Sequence, residues 1–155
     1  KSLPNPEKAA PALIAKGKAI FEEETCVDCH TPPLYSSNKL TPASGFTPSK
    51  EDKINYDIIE LSVKTDPNLA MYSRRGTGYY KVPSLIGVWN RSALMHSGYV
   101  TSLEEMFNPA RLKDDFIPSG FNPNVDKPFA VKGHTFGLYI SEEDKKALLA
   151  FLRSL

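Results

Sequence analysis

The chain has 155 residues, of which 41% are hydrophobic and 24% charged, and its formal net charge is +1. This composition excludes wholesale disorder. The near-neutral balance supplies no field for nucleic acid or an anionic membrane, and no apolar run reaches membrane-spanning length.

The length sets a single domain, 1–155, with enough chain to bury a core. In chain order, the first predicted helix opens at Pro11, a favoured first-turn residue, and runs to about Glu24. Leu13, Ile14, Gly17, Ile20 and Phe21 share one of its faces. Gly17 on that face would let a second helix approach closely. Most of the thirteen prolines fall between residues 32 and 128, which predicts a loop-rich middle, because proline lacks an amide donor.

Directly after the first helix comes FEEETCVDCHTPPLY, residues 21–35, which holds both cysteines of the chain. A disulfide across two intervening residues would remove little unfolded-state entropy. A thioredoxin-like redox pair belongs after a strand, and the segment before Cys26 is helical. Zinc would have to recruit His96 and His134 from far along the chain. Covalent haem fits best: C-x-x-C-H is the signature of c-type attachment. Cys26 and Cys29 would carry the two thioether bonds, and His30 would lie under the iron as proximal ligand. Attachment of this kind takes place outside the cytoplasm. The expectation is therefore an exported, periplasmic or otherwise extracytoplasmic protein, with Lys1 near a processed or engineered start.

Beyond the motif, a turn is predicted at Pro83 in VPSLIGVW. A short helix covers TSLEEMF, with Ser102 and Glu105 as its capping pair and Asn108-Pro109 as its stop. The last helix, ISEEDKKALLAFLRSL, has Ser141 as N-cap and Asp144 three residues on. Acidic residues fill its first turn and Arg153 its last, as the helix dipole favours, and Leu148, Leu149, Phe151 and Leu152 form its core face. The segments 31–48 and 113–136 read as long loops wrapped around something.

The order of a helix, a haem motif and a final helix ending in LLAFLRSL is similar to class I cytochromes c. YYKVPSLIGVWNRSALMHSGYVTSLEEMF resembles the C-terminal, electron-transfer haem domain of bacterial di-haem cytochrome c peroxidases and MauG-type proteins. The family's F-K-T-P-T-L-R-N-V, Y-F/M-H-D-G and T-L-E-E segments have counterparts at Tyr80 to Val88, Leu94 to Gly98 and Ser102 to Glu105. The likeness runs from about Gly17 to Leu155 and leaves out Arg111 to Thr135. It implies a mainly α cytochrome c fold of three or more helices around one covalent haem c, with long Pro-rich loops. It also implies the electron-transfer half of such proteins without the catalytic half, since there is one attachment motif. The family's distal methionine or tyrosine falls at Ala110 here, which cannot bind iron.

The distal ligand is therefore sought among Met71, Met95, Met106, His96 and His134. Met106 is the choice, one helical turn before the lost position, with His134 and then His96 as alternatives. His134 stands at the end of the unmatched loop, where Gly133 permits close approach. Arg74, Arg75, Lys81 and Arg91 flank the family-like segment as partners for haem propionates, and a solvated basic face is the default for any one of them. Arg75, Tyr80 and Trp89 complete the expected cofactor contacts, with packing the commoner role for the aromatics. RRGTGYY lacks the strand-to-helix context of a phosphate loop. Two functions follow: a carrier of single electrons between redox partner proteins, or a mono-haem peroxidase-type enzyme with an open distal site and His96 or His134 as acid/base.

Overall fold

The computed structural model describes residue 5 and residues 8–73, 76–123 and 126–155. Arg74 and Arg75, two of the expected propionate partners, lie outside the described residues.

Helix α1 spans Pro11–Glu23 and buries Gly17, Ile20 and Phe21. These residues recur at helical spacing, so one stripe faces inward. The single turn α2 follows at Cys26–Cys29. Strand β1, Leu40–Pro42, pairs antiparallel with β2, Tyr79–Lys81, with Thr41 opposite Tyr80. Between them lie α3, Lys50–Asn55, and α4, Asn68–Tyr72. The short helix α5 is Leu103–Met106, and α6 closes the chain at Glu142–Arg153. Among the described residues no helix is long and apolar enough to cross a membrane. The chain is mainly helical, with one small sheet.

The two long helices behave as their sequences require. The Ser141 side chain accepts from the Asp144 amide and caps α6. A Cβ at Gly17 would stand 1.9 Å from the Ala147 carbonyl oxygen, so α1 and α6 touch backbone to backbone. Lys16 of α1 bridges Glu143 and Asp144 of α6 at 2.7 and 2.8 Å. Under the crossing, Phe21 and Phe151 meet edge-on at 5.3 Å, and Tyr35 closes the triangle with ring centres 5.9 and 5.8 Å away. Such edge-to-face pairs add stability beyond the area they bury.

Some elements differ from the sequence reading. The segment 31–48 contains β1, because Leu40 to Pro42 finds a partner strand about forty residues later. Helix α3 was not expected, yet Ser49 and Asp52 form a full capping box at its start. TSLEEMF is helical only over its central four residues: Asn108 caps a separate 3-10 turn at Pro109–Leu112, where proline fits the first position. The Pro83 segment is turn and loop until a 3-10 turn at Val88–Asn90.

A candidate haem pocket

Three residues after α1 ends, the cysteine turn begins. Thr25 sits in the left-handed region at φ 57°, which redirects the chain between the two helices. One turn then places Cys26 and Cys29 on the same side, as residues three apart are in a helix. Both cysteines are free thiols. Burial, with the Glu24 carboxylate adding, pushes the Cys26 thiol up to about 11, and burial also raises that of Cys29.

His30 caps this turn, its amide bonded to the Cys26 carbonyl at 2.8 Å. Its Nδ1 lies 3.2 Å from the carbonyls of both Tyr35 and Pro83. A carbonyl only accepts, so Nδ1 carries the proton and Nε2 is left with a lone pair for a metal. Burial holds the imidazole below its ordinary pKa against the pull of these two carbonyls, which keeps it neutral.

Cys26, Cys29 and His30 line a cavity of 540 Å³. Its remaining walls are mostly aliphatic and aromatic. Thr41 and Tyr80 come from the sheet, Leu103 and Met106 from α5, and Leu148 and Leu152 from α6. Ile59, Leu61, Val63 and Thr65 also face it. That set was missed in the sequence, although its alternation in IELSVKT is the pattern of an extended segment with one apolar face.

His134 lines the same cavity, with its ring centre 6.4 Å from that of His30 and the planes at 56°. With metal–nitrogen bonds of about 2.0–2.1 Å, a separation of this size would let one metal ion reach a nitrogen of each ring. Burial, with repulsion from His30 whenever that ring is protonated as the next cause, pushes His134 down to about 4, so it too is neutral near pH 7. Among the described residues its Nδ1 is buried without a hydrogen-bond partner, as is Nε2 of His96.

The other expected site residues separate in space. Met106, Met95 and His96 line the cavity. Tyr80 does as well, but its hydroxyl donates to the Asp66 carbonyl at 2.6 Å and its ring stacks on His96 at 3.9 Å. It offers a packing face, with the hydroxyl committed elsewhere. Lys81 and Arg91 put positive charge on the lining, and Arg91 also donates to the Ser84 and Ile86 carbonyls at 2.7 and 3.2 Å. Trp89 is not among the lining residues; its neighbour Val88 is. Successive residues of a 3-10 turn point about a third of a revolution apart, and here Val88 takes the inward position.

These residues fit a covalent haem. Two thiols and a tautomer-fixed histidine share one turn, a second neutral histidine stands across the cavity, and the walls are mostly apolar. Two cations suit the propionates. Among the described residues, no group of three or more His, Cys, Asp or Glu is placed to hold a metal ion by itself. No protein-family model matches the chain, and no curated protein matches it significantly.

Proposed function

We propose that the protein is an extracytoplasmic mono-haem c-type cytochrome that carries single electrons between redox partner proteins. The observation that carries this reading is the C-x-x-C-H turn on the wall of a mostly apolar cavity, with His134 across from His30 at 6.4 Å between ring centres. Cys26 and Cys29 would hold the haem, whose iron supplies a one-electron ferric–ferrous couple. His30 is oriented for ligation by the Tyr35 and Pro83 carbonyls. The mostly apolar lining would tune the potential of the bound group, and Lys81 and Arg91 would offset propionate charge. The periplasmic or other extracytoplasmic location rests on where thioether attachment takes place.

For the distal ligand the geometry favours His134 over Met106. Both line the cavity, but the His134 ring lies 6.4 Å from that of His30, a separation that one metal ion held between them would span. The peroxidase-type alternative needs an open distal face, and His134 would have to move to provide one.

Intact-mass measurement under denaturing conditions tests attachment: one haem should remain on the polypeptide, and a bare-chain mass refutes the proposal. Reversible one-electron voltammetry with negligible peroxide consumption separates the carrier from the enzyme. Saturable peroxide turnover would favour the latter.

A further inference from the structure

Arg111 is fully buried, with 0% exposure. None of the ion pairs among the described residues includes it. A guanidinium taken out of water is costly unless its donors are satisfied. Here three backbone carbonyls satisfy them. Nε donates to Met106 at 2.9 Å, and the two terminal nitrogens donate to Val131 at 2.6 Å and His134 at 2.7 Å. The Arg111 carbonyl in turn accepts from the Val131 amide at 2.6 Å.

Two of these carbonyls belong to the rival distal ligands. Met106 ends α5, where a helical carbonyl has no partner of its own. His134 has φ 45°, a left-handed conformation that a side-chain-bearing residue keeps only when its surroundings enforce it. Its amide is fixed by the Val63 carbonyl at 2.7 Å, and its carbonyl by Arg111. Gly133 beside it has φ 82° and no room for a Cβ, which would meet Lys64 backbone at 2.4 Å.

We infer that Arg111 is the positioning residue of the distal side. By clamping the backbone of Met106 and of His134 together, it sets the His134 imidazole opposite His30 and holds α5 in place beside it. The inference rests on the haem reading above. It assigns a role to a buried cation that makes no ion pair among the described residues.

The test compares haem-bearing wild type with Arg111→Gln, Arg111→Lys and His134→Ala, reading the ferric spin state and the affinity for cyanide. Arg111→Gln should keep its covalent haem, lose low-spin signal, and bind cyanide roughly 10–100-fold more tightly, the range commanded by partners that orient metal ligands. Added imidazole should restore the low-spin spectrum. In a His134→Ala background, Arg111→Gln should change nothing further, because the two act through one ligand. Arg111→Lys, which cannot reach all three carbonyls, should fall between wild type and Arg111→Gln. A wild type without covalent haem refutes the proposed function itself. If the wild type bears haem, the Arg111 inference alone is overturned by an unchanged spectrum and cyanide affinity, or by an equal effect in both backgrounds. Failure of both Arg111 variants to load haem would also overturn it, marking a general structural residue.

Discussion

The carbonyl of Tyr35 lies 3.2 Å from Nδ1 of His30, while the Tyr35 ring packs against Phe21 and Phe151 under the crossing of α1 and α6. One residue thus links the helix crossing to the orientation of the histidine beside the cysteines. Tyr35 has φ 50°, so its carbonyl direction is set by a constrained backbone. Leu85 also donates to it, at 3.2 Å, which ties the Pro83 segment to the same point.

From this support follows the first expectation. His30→Ala should retain covalent haem through Cys26 and Cys29 yet lose the proximal ligand. Intact mass should stay that of the haem adduct while the ferric spectrum turns high-spin. A low-spin spectrum identical to wild type would show that His30 is not the ligand.

The distal side gives a paired expectation. His134→Ala should change the ferric spectrum, and Met106→Ala should leave it as it is. His134→Met should raise the midpoint potential, because methionine ligation raises potential relative to a second histidine. Voltammetry of the three variants checks this, and a spectral change confined to Met106→Ala would reverse the ligand assignment.

Gly17→Ala should weaken the α1–α6 contact, since the added carbon falls 1.9 Å from the Ala147 carbonyl oxygen. Overpacking at such a site costs roughly 1–3 kcal/mol. Each kcal/mol is worth about 2–4 °C in melting temperature for a chain of this size. Thermal unfolding followed by circular dichroism measures the loss; an unchanged midpoint would mean that the helices separate at little cost.

The unloaded polypeptide should lose stability in acid. Burial lowers His134 from 6.5 in the unfolded chain to about 4 in the fold. The unfolded state therefore takes up this proton first as pH falls. The stability that neutral His134 contributes is present above about 6.5 and is lost on the way down to about 4. Urea midpoints across this window should fall less for His134→Gln than for wild type. Equal slopes would remove His134 as the cause.

Cys26 gives the opposite sign at alkaline pH. Its thiol rises from 9.0 to about 11 through burial, so unfolding is favoured as pH climbs from 9 through 11. In the same unloaded polypeptide, alkylation of Cys26 should be slow near neutrality and should accelerate through that range, as the thiolate is the nucleophile. Peptide mapping after timed alkylation reads each cysteine. Fast modification of Cys26 at neutral pH would contradict its burial.

Local sequence was enough for the parts of this protein whose physics is local. The spacing in CVDCH puts two thiols and a histidine on one turn. Proline at the start of α1, Ser141 before α6 and the apolar stripes on both helices follow from helix geometry. Gly17 on the buried face announced the close crossing that is found. The wall formed by Ile59, Leu61, Val63 and Thr65 was legible too, in an alternation that needed only to be read.

Tertiary structure alone decided the rest. Nothing in NPARL marks Arg111 as buried, because its three acceptors come from carbonyls at positions 106, 131 and 134. The inward choice of Val88 over Trp89 depends on the phase of one 3-10 turn. His134 lies in a stretch with no periodicity, where composition says only that the chain is irregular. Its place opposite His30 comes from the Val63 and Arg111 hydrogen bonds and from Gly133 against Lys64, contacts between segments far apart in sequence. A sequence can specify which side chains are able to bind a metal. The distance between two of them across a cavity is set by the packing of everything between.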